Sequence, residues 1–355
     1  MSGPPVKQLS DKPARAGNEE ERSFGYFEPA KRRATLYEDV TIDTQPSVHR
    51  HMDRGWLVSF EDGRGTWDEG STALRCTDWY AFRDPGQLWE RPFYQGGAAA
   101  EAQIEGTVRS AARERLFEDF DPEWVDFLRA NLQVPAFAEH GLWLATASVG
   151  RDCLSDSITH CVVLEAAYKQ RLAQSIILYA MDLEAHFGEL PTAAAKQRWM
   201  EHPAWQPTRR FVERLHSITD WGEVIVAANL CYEPLVGTMI RRELGIRAAT
   251  LNGDTVTPVI ARLGQLEWNW TADWTTDFMK LVLEDEQHAA ANRDVVEGWI
   301  SDWMTQADEA TEALSGVIEE LPLGFDAEDS WARVERDAAA FYEQAGVADL
   351  MGVAE

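Results

Sequence analysis

The sequence predicts an all-α protein, a bundle of long helices preceded by an extended N-terminal arm. Three observations carry that prediction. Apolar residues recur at helical spacing through stretches almost free of Pro and Gly, the pattern of helices that bury one face. Several stretches approach about 30 residues, well past the roughly 11–12 of an ordinary globular helix, and helices of that length are stable when they cover one another. Residues 23–94 break the rhythm with aromatic and β-branched side chains punctuated by Gly, Pro and Asp, which suits neither a normal helix nor a free linker.

Each element follows in chain order. Residues 1–22 are polar, charged and rich in Pro, so they read as a disordered tail. Residues 23–97 form the aromatic-rich arm, which is too apolar to stand in water and too irregular to make a core of its own. The helical domain occupies residues 98–355. It opens with AAAEAQIEGTVRSAARERLFEDF, and Asp121-Pro122 then supplies an N-cap and a first-turn proline for a second helix. Residues 136–186 predict a pair of long helices, or one long broken helix. The next begins near Pro207 and runs through FVERLHSITDWGEVIVAANLCYEPLVGTMIRREL, with a kink expected at Pro234. From residue 271 to 320 there is no proline, and the helical rhythm is expected to continue.

Composition narrows the function. The chain has 355 residues, 45% of them apolar, ample for a large core. Sixty acidic side chains against 33 basic ones give a net charge of −27, which repels phosphates and anionic headgroups and excludes nucleic-acid and membrane-surface partners. Cys76, Cys153, Cys161 and Cys231 make no C-x-x-C, so a metal cluster and a disulfide framework are both disfavoured and a reducing compartment fits. The N-terminus has no apolar signal core, and no uninterrupted apolar run reaches the roughly 18 residues of a membrane span. A soluble cytoplasmic protein is expected. The 15 Trp are many for this length, and Trp anchors interfaces as well as cores.

A bundle of long helices raises the question of a carboxylate-bridged diiron site. That chemistry takes a Glu from each of two helices and Glu-x-x-His from each of two others, since positions i and i+3 share one inward face. Two pairs have the spacing, Glu213-x-x-His216 and Asp285-x-x-His288. No earlier carboxylates stand in phase with both. Glu184 precedes Glu213, but Gly188, Pro191, Pro203 and Pro207 interrupt the stretch between them. Asp156/His160 and Asp182/His186 have the i, i+4 spacing of side-chain ion pairs. At Glu165-x-x-Tyr168 and Glu284-x-x-Gln287 a Tyr or a Gln stands at the His position. No G-x-S-x-G or H-E-x-x-H is present, no Cys has the context of a nucleophile, and Gly63-Arg64-Gly65 lacks the helix a phosphate loop needs.

Five segments carry a family resemblance. They are the arm RSFGYFEPAKRRATLYEDVTIDTQP, the segment WYAFRDPGQLWERPFYQ, Pro203-Ala204-Trp205-Gln206-Pro207-Thr208-Arg209, Phe211-Val212-Glu213-Arg214-Leu215, and Leu251-Asn252-Gly253-Asp254 with Thr257-Pro258. Together they resemble the small (β) hydroxylase subunit of soluble bacterial multicomponent diiron monooxygenases, in the branch that oxidises propane and short alkenes. The resemblance spans residues 23–302, the arm together with F-R-D-P-x-x-L-W is specific to that family, and the last fifty residues match poorly.

The resemblance implies a ferritin-like bundle that has lost its iron ligands and supports a catalytic α subunit of the same fold. The diiron centre would lie in that α subunit, with no cofactor in this chain. A small γ subunit, a reductase and a cofactorless regulatory protein would complete an NAD(P)H-dependent monooxygenase. On this reading Tyr26, Phe27, Tyr37, Trp56, Arg83, Asp84, Trp89 and Phe93 are expected at the partner interface. Arg83-Asp84-Pro85 would form a turn that directs Trp89 and Phe93 outward, with Arg83 in a charged hydrogen bond. The competing reading is an autonomous ferritin-like diiron oxidase using Glu213, His216, Asp285 and His288.

Overall fold

A computed structural model describes residues 29–31, 34–42 and 68–352. The predicted tail, and Tyr26, Phe27 and Trp56, lie outside the described residues. Among the described residues every regular element is a helix, and the helices Val134–Val149, Asp156–Phe187, Trp221–Leu251 and Thr257–Leu283 enclose the centre.

Helix α1 (Leu36–Thr41) is a short piece of the arm. Its N-cap, Thr35, and Glu38 satisfy each other's backbone N–H groups in a capping box. Helix α2 spans Glu90–Arg113. It therefore starts before the composition shift at Gly97, and Gly96 and Gly97 are helical residues with nothing near their Cα hydrogens. Helix α3 (Pro122–Asn131) begins as expected, with the Asp121 carboxylate accepting from the Glu123 N–H and Pro122 in the first turn. Helices α4 (Val134–Val149) and α5 (Asp156–Phe187) are the predicted long pair, and they lie alongside each other. The short helices α6 (Thr192–Glu201) and α7 (Gln206–Leu215) both pack on α4.

The stretch expected to continue from Pro207 to about Leu244 is broken at residues 216–220. The Asp220 carboxylate caps a new helix there through the Gly222 and Glu223 N–H groups. That helix, α8, is continuous over Trp221–Leu251. It is long and apolar enough to cross a membrane by length and composition, yet 94% of its apolar window is buried inside the protein. Around Pro234, where a kink is expected, the helix is π-wound over Val226–Gly237 and again over Met239–Ala248. Pro234 has no N–H to give an i→i−4 ladder, and the wider coil absorbs the defect.

Helix α9 (Thr257–Leu283) is entered through the Leu251-Asn252-Gly253-Asp254 turn. Gly253 holds φ +78°, a left-handed value that favours glycine. Asp254 is fully buried and accepts from the Val256 and Thr257 N–H groups at 2.8 and 3.0 Å and from Trp124 Nε1 at 3.2 Å. The proline-free run 271–320 is broken at residues 284–288, then resumes as α10 (Ala289–Ala313), which packs along α8. Helix α11 (Ala327–Ala345) covers α8 and α9, so the last fifty residues belong to the same core.

Trp supplies much of that core. Trp124, Trp205, Trp221, Trp274 and Trp303 are all fully buried. The indole N–H of Trp221 reaches Ser71 Oγ at 3.1 Å and that of Trp303 reaches Glu223 Oε1 at 2.9 Å, which offsets the desolvation of a polar tip.

Candidate functional site

The described part of the arm packs on the chain's own bundle. Leu74 and Phe82 are buried in the core, Phe82 lies edge-on to Phe278, and Trp79 lies edge-on to Trp221 with ring centroids 5.3 Å apart. The Arg83-Asp84-Pro85 turn forms as expected, closed by Gln87 N–H to Asp84 O at 3.0 Å. Arg83 makes its charged hydrogen bond to Glu38 at 3.1 Å. Asp84 is buried and accepts from the Gly86 and Leu88 N–H groups and from Trp270 Nε1 at 3.1 Å, while Tyr37 Oη accepts from the Asp84 N–H. Burial pushes the Asp84 carboxyl up. Phe93 is directed inward rather than outward, 4.8 Å from the Tyr168 ring, because helix α2 starts just before it. Tyr37, Asp84 and Phe93 are thus buried within this chain, Arg83 and Trp89 are half-buried, and the neighbouring Tyr94 is exposed.

The sequence-predicted metal candidates do not converge. Glu213 is exposed and paired with Arg209 at 2.6 Å. His216 Nε2 lies 2.8 Å from the Gly141 carbonyl. Asp285 accepts from the N–H groups of Thr77, Gln287 and His288, and these bonds overcome slight burial to hold its carboxyl well below the usual range. His288 is the residue before α10. Glu284 and Gln287 are exposed just past α9, so this second Glu-x-x-Gln position faces away from the centre of the bundle. Burial pushes the thiols of Cys153, Cys161 and Cys231 up, and that of Cys76 to about 12, which leaves no activated nucleophile among them.

The ionisable groups that do converge are Glu139 on α4, Glu165 and Lys169 on α5, and Glu233 and Arg241 on α8. All five are buried at the centre of the bundle. The Lys169 ammonium is in contact with Glu233 Oε1 and lies 3.8 Å from Glu139 Oε2. Arg241 lies 2.6 Å from Glu233 Oε2 and 3.8 Å from Glu139 Oε1. Glu165 Oε2 accepts from Asn229 Nδ2 at 3.1 Å, and the same amide reaches Thr275 Oγ1 on α9 at 3.0 Å. A second layer joins Glu267 on α9 to Arg171 on α5, and Arg171 to Glu101 on α2 at 3.3 Å.

Burial dominates the electrostatics. It pushes the Glu165 carboxyl to about 7 against the pull of Lys169 and Asn229. Burial also raises Glu139. At Glu233 burial acts the same way, but Arg241 and Lys169 together outweigh it and hold the carboxyl below its ordinary value. A cavity of about 10 Å³ touches Glu139, Glu165, Lys169 and Arg241. A larger one, about 90 Å³, is lined by Trp124, Phe127, Leu172, Ile176 and Ile260 and ends on Glu139 and Arg241.

The sequence of residues 56–286 matches the model of the Methane/Phenol/Alkene Hydroxylase family. The chain belongs to that family. It is 35% identical over 297 residues to the small subunit of the hydroxylase component of propane 2-monooxygenase from Rhodococcus jostii (strain RHA1), covering 83% of this chain and 81% of the relative. It is 29% identical over 308 residues to the methane monooxygenase component A beta chain of Methylosinus trichosporium, covering 84% and 78%. The crystal structure of phenol hydroxylase from Pseudomonas sp. OX1 superposes with a TM-score of 0.75 at 19% identity, over 88% of this chain and 91% of that one. This last likeness is one of fold.

Within this hydroxylase-family fold the fit to a metal pair can be tested. Each of the four central helices contributes a Glu to this cluster, namely Glu139, Glu165, Glu233 and Glu267. Di-metal centres of ferritin-like bundles also need a His three residues after two of them. Here those positions hold Tyr168 and Trp270, whose rings meet edge-on at 5.6 Å. Tyr168 receives Phe93 and Trp270 receives Asp84, so both positions dock the arm. With two basic side chains among the carboxylates, these residues do not fit a metal pair.

Sequence reasoning missed Glu139, Lys169, Glu233, Arg241 and Glu267. A signal was present. Each acid stands in a strongly apolar run, and Asn229, Glu233, Gly237 and Arg241 recur every four residues.

Proposed function

We propose that this chain is the non-catalytic small subunit of a multicomponent hydroxylase. It supports a catalytic α subunit that holds a diiron centre and hydroxylates or epoxidises short hydrocarbons with O2. Reducing equivalents come from NAD(P)H through a reductase, and a small γ subunit and a cofactorless regulatory protein complete a cytoplasmic assembly. Relatives named as small subunit and beta chain, matched over most of both lengths, support the reading.

The observation that carries it is the outer face of α5. Val163, Leu178 and Met181 are 48%, 54% and 60% exposed on a helix whose other face is packed in the core, and Leu144 on the adjacent α4 is 42% exposed. Val163 and Met181 lie five turns apart on the same side of the helix. Large apolar side chains left exposed on a central helix mark a surface that a partner covers. Trp89 and the exposed Tyr94 extend the contact from the arm, positioned by Tyr37, Arg83, Asp84 and Phe93 behind them.

The test is coexpression with a tagged catalytic subunit followed by size-exclusion chromatography. A Val163→Asp/Leu178→Asp/Met181→Asp chain should melt like the wild type and elute apart from the catalytic subunit. Full assembly of the triple variant would remove the α5 stripe as the interface and with it this reading.

A further inference from the structure

We propose that Lys169 and Arg241 take the electrostatic place of a metal pair in this bundle, and that their charges bar divalent metal from the carboxylates around them. Glu233 gives one oxygen to Lys169 and the other to Arg241, and Glu139 does the same with its oxygens exchanged. Two carboxylates from two helices therefore each bridge the same two cations. That is the connectivity of carboxylates bridging two metal ions, built here from side chains alone.

The site is shaped for these cations. A Cβ at Gly237 would stand 2.4 Å from Glu233 Oε2 and 2.9 Å from Arg241 Nη2. A Cβ at Gly264 on α9 would stand 3.2 Å from Arg241 Cδ. Two glycines on two helices thus clear the volume that the Glu233–Arg241 pair fills. Oxygen donors remain available as well: Glu139 Oε2 and Glu165 Oε1 are buried without a hydrogen-bond partner. The cavity they share is about 10 Å³, room for no more than one water. An arriving divalent ion would meet two positive charges already in contact with the bridging carboxylates, at short range and in low dielectric. Removing Lys169 frees Glu233 Oε1 and opens space beside four carboxylates, an all-oxygen set that suits Mn2+.

This inference concerns the chain by itself, so it stands or falls separately from the assembly reading and is tested on the full-length chain without its partner. Wild type, Lys169→Ala and Lys169→Arg are equilibrated with Mn2+ and desalted, then metal is counted and bound Mn2+ is read by electron paramagnetic resonance. Lys169→Ala is expected to retain stoichiometric Mn2+ and to melt at a higher temperature in its presence. Wild type and Lys169→Arg are expected to retain none, and Lys169→Ala/Glu139→Gln/Glu233→Gln should lose the site again. Mn2+ held by the wild type, or a folded Lys169→Ala that holds none, would overturn the proposal. Lys169→Gln keeps most of the stem volume and serves if the alanine variant does not fold. It should show the same Mn2+-dependent rise in melting temperature, and an unmoved melt would equally overturn the proposal.

Discussion

Replacing Lys169 by Met keeps the side-chain volume close to the original and removes one charge from a site that is almost wholly buried. Glu233 keeps Arg241 at 2.6 Å, so it is not stranded. Glu139 keeps only Arg241 at 3.8 Å, and its Oε2 faces no donor. Breaking one partner out of a buried ion pair costs about 3–5 kcal/mol. The surviving Arg241 contact places this case at the lower end, about 3 kcal/mol. For a chain of 355 residues that is a fall in melting temperature of about 4 °C. Differential scanning calorimetry of wild type, Lys169→Met and Lys169→Met/Glu139→Gln at one scan rate is the assay. The double variant should recover much of the loss, because neutralising Glu139 removes the carboxylate left without a donor. If Lys169→Met melts within about 1 °C of wild type, a shift worth less than about 1 kcal/mol, the ion-paired core is refuted, since the charges would have to be solvated or unpaired.

Other consequences are sharper in direction than in size. Glu165 is pushed from its ordinary 4.5 to about 7, so the folded chain binds this proton more tightly than the unfolded chain. The stability it lends is complete below about pH 4.5 and is lost as the pH rises through about 7. Glu165→Gln should flatten that profile and raise stability at pH 8 by on the order of 2–3 kcal/mol, read from urea melts at pH 5 and pH 8; an unchanged profile would contradict it. Gly237→Ala should cost about 1–3 kcal/mol by overpacking the Glu233–Arg241 pair, whereas Gly96→Ala, in open space on α2, should be neutral or slightly stabilising in the same melts. Asp84→Ala removes the acceptor for two backbone N–H groups and Trp270. It should speed limited proteolysis within the arm while α4 and α5 stay protected from hydrogen exchange; uniform protection in both regions would contradict the clasp.

Much of the architecture is legible in residue order alone. Helical spacing gives the α4–α5 pair, Asp121-Pro122 gives the start of α3, and Arg83-Asp84-Pro85 gives a turn with Arg83 in a charged contact. The two helix breaks that local pattern misses have one cause. Asp220, which caps α8, also accepts from the Ala73 N–H at 2.6 Å, and Asp285, in the break between α9 and α10, accepts from the Thr77 N–H at 2.6 Å. Both acids are pinned by the arm, 147 and 208 residues away in sequence, and no window of local periodicity contains that information. The π winding of α8 is equally non-local, because it depends on what Pro234 and its neighbours pack against. The site was missed for a different reason. A search for Glu-x-x-His presumes that the cation is a metal, and here the cations are Lys169 and Arg241, which read in sequence as ordinary charges.

The central claim is that this chain contributes shape and contact to a hydroxylase while its partner holds the iron. Native mass spectrometry of the coexpressed hydroxylase, with subunits released in the gas phase, tests it most directly. This chain should leave the complex at the mass of its sequence alone, with iron retained on the catalytic subunit. Release of this chain carrying iron, or its failure to enter the complex at all, would contradict the account.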